Sequence, residues 1–184
     1  MLNQEILTDL IIKMNKELLK LSKEELIDYI EDLSKNWLMI DGTWFLAAEK
    51  EFGMETAIHL DAESWKQFSP REAKRIMKRF DIPENGGISA LKKALKFRVY
   101  ANINEQEIIQ ESEDHLIFRM NDCRVQSARN RKGLSDFPCK KVGIIEYSEF
   151  AKVIDPRIST KCICCPPDNH PEEFYCAWEF TMEE

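Results

Sequence analysis

The spacing of apolar residues changes once along this chain, near residue 102, and that change limits the possible folds more than any other feature. Before it, apolar residues recur every three or four positions, as on one side of an α-helix. After it come stretches in which they alternate, as on one face of a β-strand. We therefore predict one α+β domain, with a helical half over residues 1–101 packed on a four-stranded antiparallel sheet formed by residues 102–184.

The first helices are predicted from spacing and from capping residues. Residues 2–20 carry an apolar stripe at helical spacing, and they form a candidate contact for a partner subunit. Residues 22–25, Ser-Lys-Glu-Glu, match a capping box and predict the start of a second helix. A third helix is predicted from Asp41, and Gly53 is suited to end it in a left-handed conformation.

Further helices are predicted between residues 54 and 99. Apolar positions over residues 54–68 indicate a fourth helix. The run Ser69-Pro70-Arg71-Glu72 is typical of a helix start and predicts a fifth helix that ends near Asp81. After a turn with two glycines, residues 88–99 show one more helical face.

The C-terminal half follows the order strand, strand, helix, strand, strand. Residues 103–110 and 116–121 predict a first hairpin, and residues 158–165 and 174–181 predict a second. Between the hairpins, residues 142–153 have the spacing of a short crossing helix, on which Glu146 and Tyr147 are equally suited to a cavity wall and to solvent.

Composition excludes several classes of protein. A chain of 184 residues, 43% hydrophobic and 32% charged, is long enough to bury a core as one globular domain. Its formal net charge of −7 disfavours binding to the phosphate backbone of nucleic acids. No apolar run approaches the ~20 residues of a membrane span, and the N-terminus lacks the pattern of a signal peptide. We expect a soluble, cytoplasmic protein with neither nucleic acid nor membrane as a partner.

All six cysteines lie after residue 122, and in a chain that is not exported they favour free thiols, a metal site or a reactive thiol over disulfides. If the second hairpin keeps its apolar residues on one face, Cys162 and Cys164 share that face with Cys176. One of the two is then predicted to lie directly opposite Cys176, while Cys165 faces away.

A second arrangement of these cysteines is open. Residues 162–165 can leave the strand as a knuckle, which gives a Cys-x-x-Cys pair with Cys176 as a third ligand and Cys123 or Cys139 as a fourth. Zinc suits soft thiolates best, so it is the predicted metal. Packed thiols without a metal and a nucleophilic thiol remain as alternatives. The candidate metal ligands are Cys162, Cys164, Cys165 and Cys176.

The segment of residues 123–141 carries six basic side chains and one acidic one, in an acidic protein. Arginine binds carboxylates bidentately and glutamine adds an amide, so Arg124, Gln126 and Arg129 are candidate ligands for a small carboxylate. The alternative is a solvated loop whose charges pair with nearby glutamates. An arginine beside Cys123 would lower the pKa of its thiol, which makes Cys123 the candidate nucleophile.

Several segments of the chain resemble an uncharacterised family of prokaryotic cytosolic proteins, labelled as similar to L-2-amino-thiazoline-4-carboxylic acid hydrolase. The resemblance extends from about Trp37 onward. It implies hydrolysis of a carboxylate-bearing cyclic amidine, with attack by the Cys123 thiolate or by a metal-bound water. The segments are Asp41–Gly53, Cys123–Arg129, Phe137–Cys139, Asp155–Arg157, Cys162–Asp168 and Cys176–Phe180.

The order of helices and strands also resembles the ligand-binding fold shared by 4-vinyl reductase-like domains, haem nitric-oxide sensors and TRAPP-type trafficking subunits. Such a fold hosts enzymes, sensors and assembly subunits, so it does not decide function. We expect a small-molecule enzyme or binder with its pocket between the helical half and the sheet. The alternatives are a metal- or redox-responsive sensor domain without catalysis, and an interaction module. The wide apolar stripe of residues 2–20 also predicts a homodimer.

Overall fold

The structure of the protein is a computed structural model that describes residues 15–182. The helix predicted over residues 2–20 therefore lies mostly outside the described residues, which begin with a short 3-10 helix, Lys16–Lys20. The helices are α1 (Lys23–Phe52), α2 (Met54–Phe80), α3 (Gly87–Leu95), α4 (Arg124–Arg131) and α5 (Lys140–Ile154). The strands are β1 (Glu105–Gln110), β2 (His115–Asp122), β3 (Ile158–Cys164) and β4 (Cys176–Met182).

The predicted fold class is confirmed, because helices pack on a four-stranded antiparallel sheet. The strand order is β1-β2-β4-β3, so the second strand of each hairpin lies in the centre of the sheet. Leu116, Phe118 and Met120 of β2 alternate with partly exposed neighbours and are buried, as are Trp178 and Phe180 of β4. These side chains form the apolar face that the alternation predicts.

The four helices predicted over residues 22–81 are two long ones. The capping box is present: Glu25 donates its backbone N–H to Ser22 Oγ at 3.1 Å, and the Ser22 N–H donates to Glu25 Oε2 at 2.7 Å. From there α1 continues without a break to Gly53, whose φ of +82° ends it as predicted.

The helix start predicted at Ser69-Pro70 is wrong, because α2 runs through both residues and Ser69 is fully buried. Proline within a helix loses one backbone hydrogen bond, and packing of α2 against α5 and α1 outweighs that cost.

The register of the second hairpin corrects the cysteine prediction. Cys162 pairs with Trp178, as the even register requires, but a bulge follows and Cys164 pairs with Ala177. Cys176 pairs instead with Met120 of β2. Neither Cys162 nor Cys164 is directly opposite Cys176, because the extra residue of the bulge moves the end of β3 by one position.

The basic segment is also different from the expected loop. Residues 124–131 form α4, and the segment ends in the first turn of α5. The α4 helix is strongly polar, so apolar spacing does not reveal it. Its first residue, Arg124, donates its backbone N–H to Asn104 Oδ1 at 3.0 Å, which ties the helix to the start of β1.

The main core lies between the inner face of the sheet and helices α2, α3 and α5. None of the helices within residues 15–182 has both the length and the apolar character needed to cross a membrane. The cytoplasmic location stays a prediction.

Candidate functional site

A cavity of about 360 Å³ lies between α1, α2, α4 and α5, beside the ends of β2 and β4. Small-molecule sites typically measure roughly 300–1,000 Å³ and combine apolar walls with a few polar groups. The walls here are mainly apolar and aromatic. They include Leu38, Met39, Phe45, Leu46, Trp65, Tyr100, Met120, Val125, Phe137, Val142, Tyr147 and Trp178.

Aromatic rings brought together from distant segments form much of this wall. Trp65 of α2 stacks on Tyr100, with ring centroids 5.7 Å apart. Tyr147 of α5 lies 4.8 Å from the Trp178 ring of β4. Trp178 can approach α5 this closely because position 143 is glycine, where an added Cβ would lie 2.6 Å from a ring carbon. The glycine therefore fixes the distance between the helix and this part of the sheet.

Three carboxylates from three helices also line the cavity: Asp41 of α1, Asp61 of α2 and Glu146 of α5. Burial raises the pKa of Asp41. Burial, and then the neighbouring carboxylates of Asp41 and Glu146, raise the pKa of Asp61 to about 7. Burial also raises the pKa of Glu146, although Arg98 acts in the opposite direction. The cavity thus contains acidic groups that are not fully compensated by positive charge.

The buried positive charge that contacts Glu146 belongs to Arg98, which is 1% exposed. Its Nε lies 2.9 Å from Glu72 Oε2, and its Nη2 lies 2.8 Å from Glu146 Oε1. The guanidinium is also 5.2 Å from the Tyr147 ring centroid and 4.9 Å from that of Phe150. Burial opposes the charge of Arg98, but the two glutamates hold its pKa above the ordinary value.

Two of the predicted carboxylate ligands line the cavity but are bound to the protein itself. Gln126 is fully buried, and its amide both donates to the Phe137 carbonyl at 2.9 Å and accepts from the Phe137 N–H at 2.8 Å. Arg129 is 2.8 Å from Glu49 and donates to the Ser135 carbonyl at 2.8 Å. Through these contacts, α4 binds both the segment that follows it and helix α1.

The other two predicted residues, Cys123 and Arg124, also line the cavity. The ion pairs formed within residues 15–182 do not include Arg124. The expected lowering of the Cys123 pKa is wrong, because burial raises it to about 12 and the thiols of Cys176 and Cys139 act in the same direction. A thiolate at Cys123 is therefore disfavoured.

The cysteines approach one another in a different combination from the predicted one. Cys139, which precedes α5, has its Sγ 3.3 Å from that of Cys165, and both line the cavity with Cys123 and Cys176. Cys165 is buried, so the prediction that it faces away is wrong. Its pKa lies above the ordinary value because Cys139 and Cys176 are hydrogen-bonded to it. Burial raises the pKa of Cys162 to about 11.

Among the predicted metal ligands, Cys165 and Cys176 are adjacent, whereas Cys162 and Cys164 lie on β3 outside the cavity wall. Within residues 15–182, no three or more His, Cys, Asp or Glu side chains are arranged to hold a metal ion. Zinc therefore stays a prediction.

Of the three carboxylates, only Glu146 is a candidate for a cavity wall in the sequence analysis, whereas Asp41 and Asp61 are missed there, although the sequence contains a signal for them. Asp41 lies four residues from both Trp37 and Phe45, and Asp61 lies four residues before Trp65. Residues four apart share one side of a helix, so each aspartate interrupts a face that is otherwise aromatic. A charged residue in that position indicates a polar group inside a cavity. Arg98 and Glu72 have no comparable signal, because they meet through tertiary packing.

Three comparisons place the chain among known proteins. Residues 17–182 match the model of a family of unknown function, DUF6125, and the chain belongs to that family. No curated protein matches the chain. Among solved structures, it is similar to the phenol-responsive sensory domain of the transcription activator PoxR, crystallised with phenol.

The likeness to that sensory domain has a TM-score of 0.53 at 15% identity, and it covers 77% of this chain and 72% of the other. At this identity the likeness shows the fold alone. Neither the family description nor the sensory domain refers to a thiazoline carboxylate hydrolase, so that resemblance stays a prediction.

Proposed function

We propose that this member of the DUF6125 family is a sensor-like domain that binds a small molecule in the cavity between its helices and the sheet. The observation that carries the proposal is the cavity itself, with aromatic walls and polar groups at only a few positions. Sites of this composition are typical of small-molecule binding. The shared fold with a domain described as phenol-responsive supports the same proposal.

The volume of the cavity and the chemistry of its walls indicate which kind of molecule binds there. A cavity of about 360 Å³ fits a molecule of one or two rings, and the stacked rings of Trp65 and Tyr100 provide a flat apolar surface for it. An aromatic or otherwise flat apolar ligand with one polar end is the best match.

A binding function agrees with the thiol chemistry better than the hydrolase that the first resemblance implies. Thiol nucleophiles act as thiolates, and burial holds the pKa of Cys123 near 12. A hydrolytic role would need this thiol to ionise, or a metal-bound water in its place. The proposal therefore contains no catalytic step.

The proposal is tested by calorimetric titration of the purified protein with phenol, benzyl alcohol, benzylamine and benzoate. At least one of these one-ring compounds is expected to bind and to raise the melting temperature. Ala128→Phe fills the cavity wall and should abolish binding, whereas Ala47→Phe, on the exposed side of α1, should leave it unchanged. Absence of binding by all four compounds, or equal binding by the two variants, would contradict the proposal.

Zinc binding by the cysteines is a separate proposal. The thiols have the right chemistry, and the sulfurs of Cys139 and Cys165 already lie 3.3 Å apart with Cys176 adjacent. A tetrahedral site would need a fourth ligand, and Cys162 of the Cys-x-x-Cys pair is the candidate. Elemental analysis of untagged protein should then find one zinc per chain, which Cys165→Ser removes. Metal-free protein would contradict the proposal.

A homodimer is also proposed, on the basis of exposed apolar side chains along α1. Ile30, Leu33, Ile40 and Trp44 lie on one side of the helix, and Trp44 is 74% exposed. Apolar surface of this kind usually marks an interface. Sedimentation should give a dimer that Trp44→Glu weakens, and a monomer at all concentrations would contradict the proposal.

A further inference from the structure

We propose that the ligand carries a protonated nitrogen, as in an ammonium or amidinium group, and that Asp41 and Asp61 bind this cation inside the cavity. This inference rests on the proposed function, because it specifies the chemical class of the molecule in the same cavity. It follows from three observations, on the balance of buried charge, on the unused hydrogen-bonding capacity of Glu146 and on the aromatic walls.

The first observation is the balance of buried charge. Asp41, Asp61 and Glu146 line the cavity, while the buried cation Arg98 is shared between Glu72 and Glu146 and does not line it. The ion pairs within residues 15–182 include neither Asp41 nor Asp61, and Asp61 has a hydrogen bond with the neutral Trp65 side chain. Buried carboxylates require compensation by an opposite charge or by protons. A cationic ligand would supply the missing positive charge.

The second observation is a carboxylate oxygen with unused hydrogen-bonding capacity. Glu146 is 8% exposed, and its Oε1 is ion-paired with Arg98 Nη2 at 2.8 Å. An ionised carboxylate accepts up to about four hydrogen bonds, so this contact leaves part of its capacity unused. Because Glu146 also lines the cavity, an N–H donor on the ligand can satisfy it.

The third observation is the aromatic wall around these acids. Trp65 and Tyr100 stack beside Asp61, and Tyr147 and Trp178 also line the cavity. Aromatic rings attract cations to the negative faces of their π-systems. Aromatic faces together with carboxylates favour the binding of an organic cation. They disfavour a ligand whose only charged group is a carboxylate.

The basic side chains of the cavity do not reverse this conclusion. Lys35 is 2.8 Å from Glu31, and Arg129 is bound by Glu49, so their charges are compensated within the protein. Arg131 and Lys132 also line the cavity, but both side chains are exposed to solvent, which screens their charge. Arg124 is the less exposed basic position left for an acidic group on the ligand, so the predicted carboxylate is consistent with this inference only if the ligand carries a cation as well.

Binding of a cation in this cavity should depend on pH. Asp61 is faced by Asp41 of α1, Glu146 of α5 and Tyr100, with Trp65 on its own helix. Burial and these carboxylates raise its pKa to about 7. Below that pH the carboxyl is protonated in the free protein, so affinity for a cation should fall as the pH decreases from 8 to 6. Affinity for a neutral ring should not change.

The test uses three molecules that share one ring, benzylamine, benzyl alcohol and benzoate, titrated calorimetrically at pH 8. Benzylamine is expected to bind at least about tenfold more tightly than the other two. Asp61→Asn should remove that preference without weakening benzyl alcohol, and Asp28→Asn, a matched change on the exposed side of α1, should change neither. A melting curve shows that the Asp61 variant is folded.

The outcomes separate this inference from the proposed function. Tighter binding of benzyl alcohol or benzoate than of benzylamine would overturn the cation and leave a small-molecule site. Benzylamine binding that Asp61→Asn does not weaken would also overturn it. Failure of all compounds to bind would overturn both.

Discussion

The two buried clusters of this protein differ in what their side chains can do. The larger, under the sheet, consists of apolar residues such as Leu91, Phe150 and Phe180, each fully buried. The smaller, around Trp65 and Tyr100, borders the cavity, whose wall also contains carboxylates and, from the edge of the larger cluster, the thiols of Cys165 and Cys176. A closely packed core has no room for a ligand. The cavity beside the smaller cluster has room for one, and it is lined by buried charged groups.

The same helices contribute to both clusters. The second half of α2 packs under the sheet through Ala73 and Ile76, while its first half brings Asp61 and Trp65 to the cavity. The α5 helix is divided in the same way, because Glu146 of its first half lines the cavity and later residues such as Phe150 enter the larger core. One end of each helix thus provides stability and the other provides the candidate site.

The largest effect is expected at Arg98, which joins the two clusters. Arg98→Met leaves Glu72 and Glu146 buried without a positive partner, a situation that costs about 3–5 kcal/mol of unfolding free energy. Urea denaturation at pH 7 measures it. The triple variant Glu72→Gln, Arg98→Met, Glu146→Gln should recover much of the loss, because no unpaired charge remains. A loss below about 1 kcal/mol for Arg98→Met would show that the ion pairs do not hold the clusters together.

Gly143→Ala tests how the cavity wall is positioned. The new Cβ would lie 2.6 Å from the Trp178 ring, which is fully buried, and overpacking of this kind costs about 1–3 kcal/mol. The control is Gly42→Ala in α1, where nothing lies within 4 Å of the new Cβ and helix propensity should stabilise the protein slightly. Equal melting temperatures for the two variants would contradict the close approach of Trp178 to α5.

Asp155, on the side of the packed core, has the opposite electrostatic environment to Asp61. It is fully buried, its carboxylate lies 2.8 Å from Arg157 Nη2, and it accepts the Gly87 N–H at 3.1 Å. The hydrogen bond from Arg157 is the main cause that lowers its pKa to about 2. A lowered pKa stabilises the fold above about pH 4, and this contribution is lost as the pH falls towards 2.

Asp155→Asn should therefore cost about 2 kcal/mol at pH 7 and much less at pH 2. Denaturation at the two pH values measures the difference. The same loss at both would show that shape rather than charge at Asp155 matters.

Asp61→Asn should have a smaller effect and the reverse sign. Because the folded state raises the pKa of Asp61 from its ordinary value to about 7, ionisation of this group destabilises the fold as the pH rises from about 4 to 7. The full rise in pKa would correspond to about 4 kcal/mol, but solvent screening of this partly exposed carboxyl reduces that cost, so the asparagine variant should be more stable by about 1 kcal/mol at pH 8 and unchanged at pH 4. Thermal melts at both pH values measure it, and a loss of stability at pH 8 would contradict a buried, uncompensated carboxylate.

Local sequence determined much of this architecture. The helical spacing of the first half, the capping box at Ser22, the break at Gly53 and the buried face of β2 depend on residues close together in the chain. Hydrophobic period and capping act over three or four residues, so they can be found without knowledge of the fold. The same local patterns placed the cysteines and the basic segment in the second half, but not their partners.

Tertiary structure alone decided the site. Packing carried α2 through Ser69-Pro70, and a bulge moved Cys164 away from Cys176. The sheet order, the contact of Cys139 with Cys165 and the meeting of Asp41, Asp61 and Glu146 also join segments distant in sequence. Such contacts depend on register and on helix packing, to which many weak interactions contribute together. No short stretch of sequence contains that information, and for this reason the cavity and its charge are properties of the folded chain.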